Sequence, residues 1–539
     1  MGGGLMQLVA TGPQDVYLTG NPQITFFKVM YRRYTNFSTE SVQQNFEGEA
    51  GFGRTVTSII SKNGDLLTKI YLKVILAATE EKESIPYAYV NKLGHALIDN
   101  VKVDLGGTVI DQHYGDWLNI WIELSLDQGK QESYLDLIGQ REELTSLTNS
   151  KEETILYIPL QFWFCRFNGL ALPLIALQYH DVKISVKFSD LENCIILGKN
   201  KIRDDIVIKD SYLLVDYVYL DGNERKRFAT MPHEYLIEQL QFSGDEFLRS
   251  DNEFIKLNFS HPCKSLYWVT HISRFFNNNS SIAINNNGKI DYQQFAKIVW
   301  MLTRNGEYIE ENGQYYLELD TENKDEILIP SMATNTNSKI VDILENIDAQ
   351  FLFANIDNRV NLNNLFNVFI NDEKLSLEQV SITTEYLSDL FDGQTKKDIL
   401  NLFSIKLIQP FNYGLYINEE ANPILNGELL LNGHSRFSIK HGQYFNYVQP
   451  YQHFTRTPTD GINVYSFAIN PEEHQPSGSC NMSRIDNCIL HLKLKSQNQD
   501  TDDPDFQEWY GNNSIIKIYT MNYNVLRIMG GMGGLAYMN

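Results

Sequence analysis

Positively charged residues are scarce in this sequence. Among 539 residues, 45 Lys and Arg stand against 67 Asp and Glu, which gives a formal net charge of −22 at pH 7. An excess of negative charge repels phosphate backbones, so the composition excludes a protein that binds nucleic acid through the electrostatic attraction of its net charge. The basic stretch NERKRF at 223–228 lies beside acidic residues and is interpreted as a solvated linker. We therefore expect no direct nucleic-acid partner.

Cysteine is also sparse. The five cysteines are Cys165, Cys194, Cys263, Cys480 and Cys488. They form no CxxC pair and have no His at ligand spacing, which argues against a zinc site and against a disulfide framework. No apolar run reaches the roughly 18 residues that a membrane-spanning helix needs, and the N-terminus lacks the plan of a secretory signal. We expect no metal site, and a soluble chain made in the reducing cytosol.

Motifs that hold cofactors or reacting groups are missing as well. No GxxxxGK[ST] phosphate cradle occurs. HEYLI at 233–237 starts like a zincin helix but has Ile237 where the second histidine would stand. DTDDPD at 500–505 lacks the glycine of a calcium loop and is interrupted by proline. The sequence predicts no catalytic, cofactor-binding or metal-binding residues, and hence a protein that is not an enzyme.

Two polar stretches still have residues that could carry chemistry. NPEEHQPSGS at 470–479 combines acids, a histidine and serines, but its two prolines favour a loop whose adjacent side chains point in different directions. RNGEYIEENGQYY at 304–316 offers carboxylates and tyrosines as carbohydrate sites do, although hairpin turns have the same composition. We interpret the first as a structural loop and keep carbohydrate binding or host attachment as the alternative function.

What the chain does contain is aromatic residues and an internal repeat. Aromatics make up 12%, with 30 Tyr and 29 Phe, a composition typical of strands. VKVDLGGTVIDQHYGDWLNIW, from Val101, and ELLLNGHSRFSIKHGQYFNYV, from Glu428, share one plan. Each runs from an alternating strand through a glycine turn to Gly-x-aromatic-apolar-Asn. Two such segments predict a duplication.

Further matches between the two halves follow in the same order. The matched pairs are SVQQNFEG at 41–48 with FIKLNFSH at 254–261, LLTKIYLKVIL at 66–76 with KSLYWVTH at 264–271, HDVKISVKF at 180–188 with IDNCILHLKL at 485–494, and YLLVDYVYL at 212–220 with the segment at 514–528. Their period-two alternation indicates half-buried strands. We predict two all-β units of about eight strands each, with jelly-roll or immunoglobulin-like topology.

Composition shifts suggest where the units begin and end. We predict an N-terminal segment at 1–25, a first unit at 26–222, a linker at 223–234 and a second unit at 235–539. One connection in the second unit is about 155 residues long against about 25 in the first, too long for a bare loop. The second unit is therefore predicted to carry an inserted domain at 275–427.

The insert is predicted to be a small α/β domain. DYQQFAKIVWML, KIVDILENIDAQFLFA and SLEQVSITTEYLSDLFD repeat apolar residues at helical spacing, whereas LFNVFIND alternates. Its 22 acidic and 10 basic residues predict an exposed position. Because the insert would lie outside both units, removing residues 280–425 is expected to leave them assembled. Asn278 and Asn279 begin sequons and are candidate glycosylation sites.

Several segments resemble the major capsid proteins of nucleocytoplasmic large DNA viruses. They are the opening GGGLMQLVATGPQDVYLTGNPQITFFKVMYRRYTNF, the middle HYGDWLNIW, the late YVQPYQHFTRTPTDGINVYSFAINPEEHQPSGSCNMSRID, and the tail NYNVLRIMGGMGGLAY. Together they span nearly the whole chain outside the insert. In its length and its insert the chain most resembles the algal and giant-virus branch of that family.

The resemblance implies a fold, an assembly and a location. It implies a double jelly roll, with two sandwiches side by side, and a homotrimer that forms a pseudo-hexagonal capsomer of an icosahedral shell. The implied partners are neighbouring capsomers, minor capsid or cement proteins, and an internal membrane beneath the shell. The implied location is the outer shell of the virion, assembled in the host cytoplasm, with the N-terminal segment at the inner face or the trimer base. A monomeric β-sandwich scaffold is a further rival.

Overall fold

The computed structural model contains two β-sandwiches joined by a short helix. The residues that the structure describes are 3–23, 26, 33–80, 87–145, 150–197, 203–273, 307–311, 314–318, 359–361, 409–415, 419, 421–495, 510 and 513–537.

The first sandwich is built from two antiparallel sheets. Its strands are β1 (Phe37–Asn45), β2 (Thr55–Ile59), β3 (Leu66–Leu76), β4 (Tyr87–Tyr89), β5 (Ile98–Leu105), β6 (Thr108–Tyr114), β7 (Thr154–Pro159), β8 (Leu172–Pro173), β9 (Val182–Phe188), β10 (Ile195–Leu197) and β11 (Ile208–Leu220). One sheet has the order β1-β11-β3-β7 and the other the order β2-β9-β5-β6. In β9 every second side chain is buried, so the apolar residues line the space between the sheets.

The second sandwich repeats this plan. The remaining strands are β12 (His233–Phe247), β13 (Asn252–Leu257), β14 (Pro262–His271), β15 (Glu307–Glu311), β16 (Gln314–Glu318), β17 (Arg359–Asn361), β18 (Ile424–Leu431), β19 (His434–Ser435), β20 (Lys440–His441), β21 (Asn463–Ser466), β22 (Cys480–Asn481), β23 (Cys488–Leu494), β24 (Ile515–Met529) and β25 (Met532–Leu535). Its sheets have the orders β12-β24-β14-β21 and β13-β23-β18-β19.

The two sandwiches have the same strand order, position by position. In each, the first strand pairs with the last, β1 with β11 and β12 with β24. This pairing, with four main strands in each sheet, is the jelly-roll arrangement rather than the immunoglobulin-like one. The predicted duplication is confirmed, as are the matches of β3 with β14, β9 with β23 and β11 with β24.

The predicted match between the opening strands is wrong. SVQQNFEG begins in β1, which pairs with β11, whereas FIKLNFSH begins in β13, which pairs with β23 in the other sheet. The counterpart of β1 is β12. Alternation shows that a segment is a half-buried strand but carries no information on which sheet it joins, so the sequence pattern could not separate the two candidates.

Glycines at matching places explain why the two copies share the Gly-x-aromatic pattern. A Cβ on Gly115 would lie 2.6 Å from the carbonyl oxygen of Ile98, at the start of β5. A Cβ on Gly442 would lie 1.9 Å from the carbonyl oxygen of Ile424, at the start of β18. Only glycine allows this approach of two backbone segments. The same contact therefore follows the same strand in each sandwich.

Short helices occupy the connections. They are α1 (Gly3–Val9), α2 (Val16–Thr19), α3 (Leu93–Ala96), α4 (Gly115–Ser125), α5 (Gln131–Leu137), α6 (Glu142–Thr145), α7 (Trp163–Arg166), α8 (Gly222–Thr230) and α9 (Gln449–His453), with a π-helical turn at Tyr444–Val448 and 3-10 turns at Gln128–Lys130, Asn168–Leu170, Leu174–Ala176, Leu191–Asn193 and Met482–Arg484. Helix α8 begins at Gly222, one residue before the predicted linker, and fills most of it, and strand β12 begins at His233, inside the predicted range.

Few residues of the insert are described. Strands β15, β16 and β17 form a small antiparallel sheet, so RNGEYIEENGQYY contains a hairpin. The three helix-like stretches, the segment LFNVFIND and the sequons at Asn278 and Asn279 lie outside the described residues. The predicted end of the insert at residue 427 is corrected, because Ile424 already pairs with Leu494 as part of β18.

Strand register defines the two ends of the molecule. Phe37 lies opposite Leu220, and His233 lies opposite Ile528, so both sandwiches begin and finish at one end, here called the terminal end. Strand β14 runs from there to His271 at the other end, after which the insert follows. The insert thus departs from the end opposite to the terminal end, here called the insert end.

Candidate functional site

The two sandwiches meet through a sheet face of the second and a strand and helix of the first. Side chains of β12, β14 and β24 that point away from the interior of the second sandwich pack against β6 and α4. Every residue of helix α4 from Gly115 to Leu124 except Asp116 is buried, because the helix has neighbours on both sides. This inter-sandwich contact is the candidate functional site, since it makes one body of two sandwiches.

Aromatic rings occupy the centre of the inter-sandwich contact. The ring centroid of Trp117 lies 4.9 Å from that of Tyr267 on β14 and 5.9 Å from that of Tyr519 on β24. Tyr114 lies 5.0 Å from Phe242 on β12. Aromatic pairs at such distances contribute about 0.5–1.5 kcal/mol each beyond their buried area. The centre of the contact is therefore packed like a domain core.

A largely buried carboxylate at the start of α4 meets three side chains of the second sandwich. Asp116 accepts from Lys517 Nζ at 2.7 Å and from the Tyr413 hydroxyl at 2.9 Å, and it lies 3.1 Å from His271 Nε2. Burial alone would raise the pKa of Asp116, but His271 and Lys517 outweigh it and hold that pKa well below its usual range. The carboxylate is charged and joins three segments of the second sandwich to the first.

A second buried carboxylate lies further along α4. Glu123 is 2.8 Å from Lys92 Nζ within the first sandwich and 3.2 Å from the Arg456 guanidinium of the second. The backbone N–H of Arg456 also donates to the carbonyl of Leu124 at 3.0 Å. Burial opposes ionisation of Glu123, yet the two cations lower its pKa. This cluster attaches the segment after α9 to α4.

A third ion cluster lies towards the terminal end, and in it the sandwiches exchange roles as sources of the carboxylate and of the cation. Here the carboxylate, Glu238 on β12, belongs to the second sandwich, and Arg166 on α7 of the first lies 2.9 Å away. Lys264 of β14 is paired with the same carboxylate. The Arg166 guanidinium also covers the ring of Trp121 at 4.9 Å. Charges of both signs thus cross the contact in both directions, which fixes its register.

The stretch NPEEHQPSGS lines a cleft between α7 and the second sandwich. The cleft has a volume of about 510 Å³. Glu472 accepts from the backbone of Thr455 at 3.0 Å, and His474 stacks on Phe167 with ring centroids 5.5 Å apart. Ser477 Oγ accepts from the backbone N–H of Asn470 at 2.9 Å. The histidine and the serine are held by different partners and do not form a nucleophile–base pair.

Two surfaces outside the inter-sandwich contact expose apolar side chains. The first, here called the open face, is the outward side of β3, β7 and β11, with Tyr71, Ile75, Ile155, Tyr157 and Leu214 half-buried or exposed. The second, here called the open turn, follows β19 and carries the exposed residues Ile439, Tyr447, Val448 and Tyr451. By strand order the open face matches the covered sheet face of the second sandwich, and the open turn matches β6 and α4.

Sequence reasoning missed the residues of the inter-sandwich contact. Asp116, Glu123 and Glu238 carry no motif, since their partners lie far away in the chain. One signal was present, because the two copies differ in charge where their backbones match. Counting from the equivalent glycines, Asp116 stands where the second copy has Gln443. The charged residue, Asp116, belongs to the copy whose helix is covered by the other sandwich, and the neutral Gln443 belongs to the copy whose helical turn is exposed.

The described residues offer little for metal or membrane chemistry. Within them, no group of three or more His, Cys, Asp or Glu is arranged to hold a metal ion. No helix in the described part of the chain is long and apolar enough to cross a membrane.

Two jelly rolls in one chain, locked side by side by buried ion clusters, define the double jelly-roll class of capsid subunit. Residues 25–221 match the family model "Major capsid protein N-terminus", and residues 224–534 match "Large eukaryotic DNA virus major capsid protein". The chain belongs to the family of major capsid proteins of large eukaryotic DNA viruses. It is a structural capsid protein of the virion.

Relatives and solved structures agree with the assignment. The chain is 40% identical to the major capsid protein of Phaeocystis pouchetii virus and 33% identical to that of Paramecium bursaria Chlorella virus 1, with 100% of each chain covered in both cases. The solved structure of PBCV-1 VP54 matches with a TM-score of 0.61 and 30% identity over 96% of this chain and 100% of that one. The Faustovirus major capsid protein matches with a TM-score of 0.58 at 12% identity, over 96% of this chain and 94% of that one, which shows the fold alone.

The family assignment decides between the rival functions. The relatives are structural capsid proteins over their full lengths, so the alternative of a carbohydrate-binding or host-attachment protein is overturned. The pairing of β15 with β16 agrees with the interpretation of RNGEYIEENGQYY as a hairpin.

Proposed function

We propose that the chain forms homotrimers, and that each trimer is a pseudo-hexagonal capsomer which tiles the outer icosahedral shell of a large DNA virus. The observation that carries this proposal is that the inter-sandwich contact uses elements whose counterparts in the other copy of the repeat lie exposed. Within the chain, a sheet face of the second sandwich covers β6 and α4 of the first. The matching parts, the open face and the open turn, are left without a partner in the single described chain.

The open face and the open turn differ from ordinary solvated surfaces. Leu214 and Tyr71 are cross-strand neighbours on the open face, and Ile75 lies opposite Ile155. Lys73 stands between Tyr71 and Ile75 on the same face, with its ammonium over the ring of Tyr157. Tyr451 on the open turn is 82% exposed. Tyrosines and aliphatic residues in contiguous patches are typical of subunit contacts. We infer that the open turn of one chain packs on the open face of the next.

This contact is heterologous, so it forms a closed ring only if its rotation closes. Each chain contributes two similar sandwiches, and the inter-sandwich contact already sets the rotation from one sandwich to the next. Repeating a similar rotation across chains closes a ring of three chains with six sandwiches. Three-fold symmetry then produces a six-sided outline that fits a hexagonal lattice.

Other parts of the proposal rest on the family and on chemistry. We propose that the chain works without catalysis, cofactor or metal, since the buried acids of the inter-sandwich contact are each paired with cations. We propose neighbouring capsomers, minor capsid or cement proteins and an internal membrane beneath the shell as partners, and assembly in the host cytoplasm. The net charge of −22 supports the absence of direct nucleic-acid contact. The division at 223–234 and glycosylation at Asn278 and Asn279 stay predictions.

Light scattering of the purified chain tests the trimer and its surfaces together. The wild-type particle is expected at three times 62.1 kDa. Leu214→Glu on the open face and Tyr451→Glu on the open turn should each yield monomers, because a buried unpaired carboxylate is costly at a subunit contact. Phe254→Glu, on β13 at a position that is 59% exposed and belongs to neither the open face nor the open turn, is the control and should remain trimeric.

Two outcomes would contradict the proposal. A monomeric wild-type chain would remove the trimer itself. If Leu214→Glu and Tyr451→Glu both remained trimeric, the contact between the open face and the open turn would be contradicted. The trimer would then have to form through other surfaces.

A further inference from the structure

Three of the five cysteines lie together at the terminal end of the second sandwich. Cys263 on β14 is the register partner of Cys480 on β22, and Cys488 begins β23 in the facing sheet. Cys263 and Cys488 are buried, and Cys480 is partly exposed. All five cysteines are among the described residues, and all are free thiols. Cys165 and Cys194 belong to the first sandwich.

The register brings two of these thiols to bonding range. Residues directly opposite in an antiparallel pair project from the same side of the sheet, with Cα atoms about 4.5–5.5 Å apart. A disulfide requires Cα atoms about 4.4–6.8 Å apart. The ranges overlap, so Cys263 and Cys480 need no strand movement to be joined. Strand β22 is only 2 residues long and lies at the sheet edge, which leaves it free to adjust.

We propose that Cys263 and Cys480 are a disulfide-forming pair that closes when the folded chain meets a small-molecule disulfide such as oxidised glutathione. This goes beyond the capsid role, and it does not depend on the trimer. Cys488 faces the pair from the other sheet, and we assign the bond to Cys263 and Cys480 because these two are register partners on neighbouring strands.

The exchange consumes one small-molecule disulfide and balances in two steps. The thiolate of Cys480, the more accessible thiol, attacks oxidised glutathione and forms a mixed disulfide, releasing one glutathione thiolate. The thiolate of Cys263 then attacks Sγ of Cys480 and releases the second glutathione thiolate. The two cysteine protons pass to solvent or to the released thiolates. The cysteines are oxidised by two electrons, and the glutathione disulfide is reduced by two.

The thiols are slow to react but not shielded from the first step. Burial raises the pKa of Cys480 and raises the pKa of Cys263 to about 12, so few thiolates exist at neutral pH. Exchange should therefore speed up as pH rises above neutrality. In a reducing cytosol the pair stays open, and outside it the bond accumulates.

The bond would tether a loop to the sheet at the terminal end. The loop between β21 and β22 carries Glu472 and His474, which line the cleft beside α7. Strand β22, at the end of this loop, is held to β14 by the register pairs Cys263–Cys480 and Pro262–Asn481. A covalent link there would slow protease cleavage within 470–479 without changing the fold.

Peptide mapping tests the pairing without ambiguity, because trypsin places each of the three cysteines on its own peptide. The peptides are 257–264 for Cys263, 457–484 for Cys480 and 485–493 for Cys488. After treatment of the full chain with oxidised glutathione at mildly alkaline pH, the mass should fall by about 2 Da, for two hydrogens lost. The peptides 257–264 and 457–484 should then be found linked.

Variants separate the pair from its neighbours. Cys263→Ser and Cys480→Ser should each abolish the linked peptides, whereas Cys488→Ser and Cys194→Ala should leave them unchanged. Loop protection from protease should appear only in the oxidised chains that keep both Cys263 and Cys480, which are the wild type, Cys488→Ser and Cys194→Ala. Linkage of 457–484 to 485–493, or five alkylatable thiols after prolonged treatment, would overturn the proposal.

Discussion

Asp116 joins the two sandwiches through three contacts. It takes its place at the start of α4 and meets Lys517, His271 and Tyr413, which come from three segments of the second sandwich. Removing one partner of a buried ion pair leaves the other charge unpaired in a medium of low polarity. The copy that lacks this charge, at Gln443, is the copy whose helical turn is open.

Asp116→Asn should destabilise the chain by about 3 kcal/mol, because Lys517 and His271 would lose the negative charge that they contact in a largely buried site. Urea denaturation at pH 7 measures the loss. The matched control is Asp181→Asn, whose carboxylate is 3.1 Å from Lys62 and 56% exposed. Exposed pairs of this kind are worth at most about 1 kcal/mol, so the control should unfold close to the wild type. Equal losses in both variants would show that burial of the Asp116 cluster contributes nothing.

The same residue sets a pH dependence with a defined sign. The pKa of Asp116 is lowered in the folded chain, so its stabilisation is complete above the unfolded pKa of about 3.9 and is lost as pH falls further. The gap in unfolding free energy between wild type and Asp116→Asn should be constant from about pH 5 to 7 and should narrow below about pH 4. A gap that changes between pH 5 and 7 would assign the titration to another group.

Strands were the elements that the sequence predicted best. The alternation of apolar and polar residues located β3, β9, β11, β14, β23 and β24, because successive side chains of a half-buried strand point in turn to the core and to solvent. Gly115 and Gly442, which precede the two helical segments, indicated that the backbone passes close to the start of the same strand in both copies. Alternation did not reveal sheet membership, which is why β1 was matched to β13. It also missed α8, where charged residues cover a short helix with no buried face.

The inter-sandwich contact could not be predicted in the same way. Its members are brought together by packing across hundreds of residues, and pairs such as Glu123 with Arg456 have no fixed spacing. The predicted end of the insert failed for a related reason. Tyr413 and Ile424 lie inside the predicted insert, yet Tyr413 bonds Asp116 and Ile424 pairs with β23. Local pattern does not show which element a loop residue will meet.

Two deletions of the insert should therefore behave differently. Replacing residues 280–405 by a short Gly-Ser link should preserve folding and assembly, because the segment from 409 onwards remains to cover Asp116 and to begin β18. Replacing 280–425 removes Tyr413, Asn422 and Ile424 and should lose assembly, contrary to the expectation from sequence alone. Light scattering and the urea midpoint measure both. Loss of folding in the shorter deletion would show that the insert supports the sandwiches.

At the scale of the whole molecule, the duplication provides the same pair of surfaces twice. One pair forms the inter-sandwich contact, and the other pair, the open face and the open turn, is available for contacts between chains. The inter-sandwich contact is permanent because both partners are in one chain, whereas the open face and the open turn must find theirs in other chains. In the inter-sandwich contact, carboxylates of each sandwich are paired with cations of the other, so the second sandwich is held in one register on the first. A rigid pair of sandwiches loses less internal freedom when it joins a ring than a flexible pair would, which favours association.

A mixing experiment tests whether the ring is built head to tail. Leu214→Glu has a defective open face and a sound open turn, and Tyr451→Glu has the reverse. A mixture therefore has one sound contact, the turn of the first variant on the face of the second, and should form heterodimers near twice 62.1 kDa but no trimers. Each variant alone should stay monomeric, and the Phe254→Glu control should form trimers with wild type. Full trimers in the mixture, or no association at all, would mean that the face and the turn do not meet each other.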